Sequence, residues 1–271
     1  MELRDKIAIV TGGARGIGKG MALALARQGA HVAVADLYTS SRGTAGYAFS
    51  TEQEVSQTVG ELTALGVRAI GVPVDVTQWG QVQELMESVT QRLGPIDILY
   101  NNAGVIDTGL VVETTEAQWD AMMQVNVKGV FLCCKAVAPG MMARRQGRII
   151  NTASIAGKRG NARAAAYCAS KFAVVGFTQA FAHEMAPHNI TVNAVCPGIL
   201  GTAMWLDHLI DRRVEHMGDD RQATFAQYAS SLMPLGRPQT PEDIGEAVVY
   251  LARADNVTGI ALNVAGGLVM H

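Results

Sequence analysis

Short, unbroken apolar runs alternate with longer stretches of helical period along almost the whole chain, and few folds accommodate that pattern. Residues 6–11, 31–36, 67–74, 96–101, 148–152, 190–196 and 260–264 read as strands. Residues 17–28, 51–65, 78–93, 116–142, 162–186 and 241–252 read as the helices between them. Such alternation predicts a doubly wound α/β fold, a parallel sheet covered by helices on both faces. The run Ile7-Ala8-Ile9-Val10 is apolar without a break, as burial on both faces requires. No Pro/Gly/Ser-rich divider interrupts the 271 residues, so one domain is expected over 1–271. Ligands in these folds gather beyond the carboxyl ends of the strands.

Apolar residues make up 49% of the chain and charged residues 17%, enough for a large core and some subunit interface. A formal net charge of -2 with no basic run argues against nucleic acid as a partner. Glu2, Arg4, Asp5 and Lys6 precede the first apolar run, unlike a signal peptide or anchor. No stretch approaches the roughly 18 uninterrupted apolar residues of a spanning helix, so no membrane partner is expected. Cys133, Cys134, Cys168 and Cys196 lack metal-ligand spacing and read as buried free thiols in a reducing cytoplasm. The histidines show no His-x-x-x-His pairing, and no metal site is expected.

The first strand runs into Thr11-Gly12-Gly13-Ala14-Arg15-Gly16-Ile17-Gly18, and a helix follows. Glycines there permit tight turning and close approach, while a helix start offers free N–H groups to a pyrophosphate. The spacing Gly12-x-x-x-Gly16-x-Gly18 departs from the usual dinucleotide pattern. Asp36 ends the second strand, where a carboxylate accepts hydrogen bonds from an adenosine ribose and repels a 2′-phosphate. Arg15 argues the other way, since a basic residue in the turn could pair with that phosphate. The carboxylate excludes the phosphate directly, so NAD is favoured over NADP. Residues 37–50 are polar, glycine-rich and long for this connection. They are either an excursion of the chain or a cover over the adenosine end.

Asp75 and Val76 end the third strand as an adenine bracket. Asn101-Asn102-Ala103-Gly104 ends the fourth, suited to backbone held beside a ligand. Asn126 lies between Val125 and Val127 and needs partners. It makes either a local helix-kinking bond or part of a proton path. Ser154 follows the fifth strand, thirteen positions before Tyr167. Tyr167 and Lys171 are four apart, on one helix face. An ammonium beside a phenol stabilises the phenolate, so the tyrosine pKa is expected to fall from about 10. A phenol so poised can exchange a proton with an alcohol or carbonyl oxygen. Pro197 and Gly198 turn the chain after the sixth strand, with Thr202 beyond. Residues 199–235 then form an amphipathic insert rich in Met204, Trp205, Leu206, Phe225 and Tyr228, read as a substrate lid. Lys158, Arg159 and Arg163 either greet an anionic substrate or form a solvated loop.

Together, Thr11-Gly12-x-x-x-Gly16-Ile17-Gly18, Asn101-Asn102-Ala103-Gly104, Asn126, Ser154, Tyr167-x-x-x-Lys171 and Pro197-Gly198-x-x-x-Thr202 resemble the classical short-chain dehydrogenase/reductases. The resemblance implies a Rossmann-type domain with a seven-stranded parallel sheet, a nicotinamide cofactor and a homotetramer. It implies that Tyr167 is the acid/base, that Lys171 lowers its pKa and holds the nicotinamide ribose, that Ser154 positions the substrate oxygen, and that Asn126 supports a proton relay. Gly12, Arg15, Gly16, Ile17, Gly18, Asp36, Asp75, Val76, Asn102, Ala103, Gly104, Tyr167, Lys171, Pro197, Gly198 and Thr202 are the expected cofactor contacts. Two features depart from the family: Ala265-Gly266-Gly267 where an aspartate often precedes the glycines, and the longer insert after Asp36. That insert is similar to those of members enclosing the adenosine end of the cofactor. Thr202-Ala203-Met204-Trp205 looks like members acting on small diols, ketols and polyols. The expected activity is NAD-dependent interconversion of a secondary alcohol and its ketone in the cytoplasm. The alternatives are an NADPH-dependent 3-oxoacyl thioester reductase and, further off, a non-catalytic NAD sensor.

Overall fold

The computed structural model describes residues 1–38, 49–209, 211 and 220–271. Seven strands form one sheet: β1 Ile7–Thr11, β2 His31–Asp36, β3 Ala69–Pro73, β4 Ile98–Asn101, β5 Gly147–Thr152, β6 Ile190–Pro197 and β7 Ala261–Val264. Their spatial order is β3-β2-β1-β4-β5-β6-β7, and every pairing is parallel. The doubly wound sheet expected from the alternating pattern is therefore present. From β1 the chain winds outward to β3, then returns across β1 to build the other half. The crevice between the carboxyl ends of β1 and β4 is the switch point at which such sheets bind ligands.

Among the described residues there are eight α-helices: α1 Gly16–Arg27, α2 Glu52–Ala64, α3 Trp79–Arg92, α4 Glu116–Met123, α5 Gly129–Arg144, α6 Ala165–Met185, α7 Arg221–Leu232 and α8 Pro241–Arg253. The period-two alternation of β1 divides the core. Ile7 and Ile9 pack on the face covered by α3, α5 and α6, while Ala8 and Val10 face α1, α2 and α8. Thr51, Thr115 and Thr240 start α2, α4 and α8 with reciprocal capping boxes, which explains why these helices begin where they do.

The helix expected over 116–142 is broken into two. A π turn at Gln124–Lys128 separates α4 from α5, with Asn126 at its centre. Insertions of this kind cluster at functional positions. The run Glu116–Arg144 is long and apolar enough to cross a membrane by length and composition, yet half of its apolar window is buried within the protein. Cys133, Cys134, Cys168 and Cys196 are free and buried, as expected.

Of the polar insert, residues 39–48 lie outside the described residues; its ends, Tyr38 and Ser50, form a parallel bridge. Of the lid, 210 and 212–219 lie outside them. The remainder forms a π-helical turn at Met204–Leu209 and α7, packed through Ile199, Trp205, Phe225, Tyr228 and Leu268.

Candidate active site

The glycine turn is shaped by contacts that leave no room for side chains. Gly12 has φ +62°, and a Cβ at Gly18 would fall 2.0 Å from the Gly12 carbonyl oxygen. Asn102 Nδ2 donates to the carbonyls of Gly12 (2.9 Å) and Thr11 (3.1 Å). Thr11 Oγ1 in turn accepts from the N–H groups of Asn102 and Ala103. These bonds stitch the end of β1 to the end of β4. Unlike α2, α4 and α8, α1 starts without a side-chain cap at Arg15 and has no acid in its first turn. Its positive end is thus left for an anion.

Asp36 Oδ2 accepts from the Ala14 N–H at 2.9 Å, so the carboxylate braces the glycine turn. Burial pushes its pKa up, against the opposing pull of the Ala14 N–H and the Ser50 hydroxyl. Asp75 Oδ1 accepts from the N–H and hydroxyl of Thr77 and turns the chain into α3. Asn101 points away from this crevice: its Nδ2 donates to Asn151 Oδ1 (2.9 Å) and to Cys134 Sγ.

Asn126 is fully buried, and its amide clasps the Val105 backbone in both directions. Its Nδ2 also donates to Ser170 Oγ at 3.0 Å, next to Lys171 in the chain. Its side chain thus bridges to another segment and makes no bond within its own helix. A Cβ on Gly104 would fall 3.2 Å from Asn126 Oδ1 and 3.6 Å from Lys171 Nζ, so this glycine lies between the two groups.

Lys171, 3% exposed, donates from Nζ to the Thr152 carbonyl at 2.8 Å. The same ammonium stands 5.6 Å from the centre of the Tyr167 ring. The Ser154 hydroxyl stands close enough to the Tyr167 phenol to favour its charged form. Burial pushes the Tyr167 phenol up to about 12, with the Ser154 hydroxyl pulling the other way, and holds Lys171 down to about 8. The expected lowering of the tyrosine pKa is therefore reversed in the unliganded protein. Desolvation opposes the charged form of both groups and is the largest cause for each.

One cavity of about 820 Å³ connects all these features. Gly12, Arg15, Gly16, Ile17, Gly18, Asp36, Asp75 and Val76 line one end. Asn102, Ala103, Gly104, Ser154, Tyr167, Lys171, Pro197, Gly198 and Thr202 line the rest with Trp205, Tyr228 and Leu268. Every expected cofactor contact reaches this wall; Asn126 lies behind it. Leu37, Phe49 and Ser50, the ends of the insert, line the wall beside Asp36. Sequence reasoning missed Thr152, whose carbonyl holds Lys171, and Leu268, about a hundred residues from Tyr167 and without any local signal. Ala265, where an aspartate is expected, packs against Ile155 and Val269 in a small apolar cluster.

The family model for short chain dehydrogenases matches residues 6–211. The chain belongs to that family. It is 38% identical to the 3-oxoacyl-(acyl-carrier-protein) reductase FabG of Vibrio cholerae over 100% of both chains. It is 35% identical to galactitol 2-dehydrogenase of Agrobacterium fabrum over 98% of each. Among solved structures, carveol dehydrogenase from Mycobacterium avium in complex with NAD superposes with a TM-score of 0.93, at 30% identity and 98% coverage of each chain. A variant of actinorhodin polyketide ketoreductase with NADPH superposes at 0.86, with 37% identity and 97% coverage of each. This short chain dehydrogenase is an oxidoreductase acting on CH–OH groups with a nicotinamide cofactor.

Proposed function

We propose that the chain interconverts a secondary alcohol of diol, polyol or hydroxy-ketone type and its ketone with NAD, using Tyr167 as acid/base. The observation that carries this reading is the convergence of Ser154, Tyr167 and Lys171 on a cavity that continues to the uncapped start of α1 and to Asp36. The residues fit a dinucleotide: Gly12 and Gly16, both at positive φ, present side-chain-free backbone to the cavity, and α1 presents its positive end. Gly12 to Gly18 would hold the pyrophosphate, Asp36 the adenosine ribose, and Asp75 and Val76 the adenine. Lys171 would hold the nicotinamide ribose. When bound, the nicotinamide supplies the hydride acceptor.

In oxidation, the Ser154 hydroxyl holds the substrate oxygen and the Tyr167 phenolate removes its proton; in reduction the phenol returns it. A tyrosine at about 12 is a poor base at neutral pH. The Lys171 ammonium, together with the positive charge of an oxidised nicotinamide, lowers the cost of the phenolate in the loaded enzyme. Asn126 holds Val105 and Ser170 and acts as a positioning residue for Lys171.

NAD is favoured because the Asp36 carboxylate, which lines the wall, would repel a 2′-phosphate on the adenosine ribose. A second reading, NADPH-dependent reduction of a 3-oxoacyl thioester, is supported by the 38% identity to the Vibrio cholerae reductase and by Arg15 in the turn. Steady-state kinetics with NAD and NADP across secondary alcohols, and with NADH and NADPH on a 3-oxoacyl thioester, separate the two. Exposed Trp119, Phe131 and Phe172 on α4, α5 and α6 support assembly with further copies of the chain, a homotetramer in this reading. The chain as one domain, working in the cytoplasm, completes the reading.

A further inference from the structure

We infer that Arg159, with Asn161 beside it, forms an anion-holding site at the substrate end of the cavity, and that the secondary alcohol handled here also carries a carboxylate. This rests on the proposed oxidation of a secondary alcohol by Tyr167 and replaces the diol, polyol or hydroxy-ketone with a hydroxy acid. Among the described residues, five charged ones line the cavity: Arg15, Asp36, Asp75, Arg159 and Lys171. Arg15, Asp36 and Asp75 belong to the end built by the glycine turn and β3. Lys171 is engaged by the Thr152 carbonyl. Among the described residues, that leaves Arg159 as the cation of the other end, on the turn that carries Ser154, Ile155 and Ala156 into the wall. Its guanidinium has no ion pair or hydrogen bond among the described residues.

The backbone beneath Arg159 is fixed. Its N–H and that of Lys158 donate to the Ile155 carbonyl, and the Gly157 N–H donates to Ser154 O at 2.8 Å. A Cβ on Gly157 would fall 2.7 Å from the Lys171 carbonyl, so the turn lies flush on α6. The backbone of Arg159 is thereby held at a set place relative to Ser154, Tyr167 and Lys171, while the residue itself is exposed. Among the described residues, the wall's two carboxylates, Asp36 and Asp75, belong to the cofactor end. Asp107 lies nearby, two residues from Gly109, whose N–H donates to the Arg163 carbonyl, and it faces His208 Nε2 at 3.7 Å.

A guanidinium fork matches a carboxylate in two parallel bonds. The Asn161 amide, also in the wall, adds a donor. Ile155, Ala156, Ala164 and Leu268 add apolar lining to the same wall, with Ala156 and Ala164 packed against Tyr167. A substrate with a hydroxyl at Tyr167, an apolar middle and a carboxylate at Arg159 satisfies all three surfaces.

The test uses a panel of hydroxyoctanoates with the hydroxyl at different carbons, their methyl esters, and a 3-hydroxyacyl coenzyme A thioester. Each is oxidised with NAD by the native protein and by Arg159→Leu and Arg159→Lys. The native protein should prefer at least one acid over its ester by about tenfold or more in kcat/KM, the scale of one charge-assisted contact. Arg159→Leu should erase most of that ratio through KM, Arg159→Lys should keep part of it, and added salt should erode it. Preference for the ester, or an acid-to-ester ratio unmoved by Arg159→Leu, would overturn the inference. So would Arg159-dependent use of the thioester with no use of any free acid. Titration of octanoate, which has no hydroxyl to oxidise, separates the site from the reaction. Arg159-dependent octanoate binding without alcohol turnover keeps the anion site and sinks the proposed activity. Turnover of the esters with octanoate binding indifferent to Arg159 does the reverse.

Discussion

Lys171 Nζ and the carbonyl oxygen of Thr152 lie 2.8 Å apart, joining the middle of α6 to the last residue of β5. The same threonine donates its hydroxyl to the buried Tyr100 phenol at 2.7 Å. A core tyrosine and a core strand thus set where the ammonium sits. The position is costly, since burial holds Lys171 down to about 8 from an ordinary 10.5. That difference corresponds to about 3 kcal/mol against the charged form.

The sign of this effect gives the first prediction. A base with a depressed folded pKa destabilises the fold below about pH 8 and is relieved as pH rises towards 10.5. Lys171→Met should therefore cut turnover by about a hundredfold or more while leaving the melting temperature at neutral pH equal or higher. Calorimetry of native and variant protein at pH 7 and pH 10 checks it. The stability gap should shrink at the higher pH.

Asp36→Ala should let NADP compete with NAD, because the carboxylate that repels a 2′-phosphate is gone. The Ala14 N–H also loses its acceptor, so KM for NAD should rise as well. Steady-state kinetics with both cofactors read the two effects separately. An unchanged preference would place the discrimination elsewhere, with Arg15 the next residue to replace.

Gly18→Ala should abolish cofactor binding. Its new methyl would sit 2.0 Å from the Gly12 carbonyl and 2.6 Å from Asn102 Nδ2, so the turn must open. Titration with NADH, followed by nicotinamide fluorescence, should show no saturable binding at concentrations that fill the native protein.

Much of this arrangement was legible in the sequence, and the reason is physical. Strands buried on both faces must be continuously apolar, so Ile7 to Val10 announced β1 and its burial. Backbone turns that admit no Cβ must be glycine, so Gly12 and Gly18 announced the phosphate-sized notch. Tyr167 and Lys171 share a helix, and their proximity follows from its pitch. What stayed hidden depends on contacts between distant segments. The π turn at Asn126 arises because its amide reaches across to Val105, which no helical periodicity encodes. The tyrosine pKa was misjudged in direction because charge attraction is visible in a spacing of four, whereas desolvation is known only once the chain has closed around the phenol. Thr152 and Leu268 reach the site through sheet register and chain return, and neither leaves a local mark.

Thr240→Ala removes the acceptor for the Asp243 N–H (3.2 Å) at the start of α8. Loss of such a cap costs about 1 kcal/mol, or a few degrees in melting temperature for a chain of this size. Because α8 packs against α1, which follows the glycine turn, NADH affinity measured well below the melting temperature should stay within about twofold. A larger affinity loss would mean that α8 sets the turn's geometry.

The direction of catalysis with pH follows from the phenol at about 12. Oxidation needs the phenolate and should quicken as pH rises towards that value; reduction needs the phenol and should stay level until pH approaches it. The measurement that bears most directly on the whole account is NADH formation from a secondary alcohol by Tyr167→Phe beside the native protein, with NADH binding checked in both. The account predicts intact binding and turnover lowered by about a hundredfold or more, a typical share for a proton-transferring group. Turnover near the native rate would contradict it and return the search for the acid/base to the rest of the cavity.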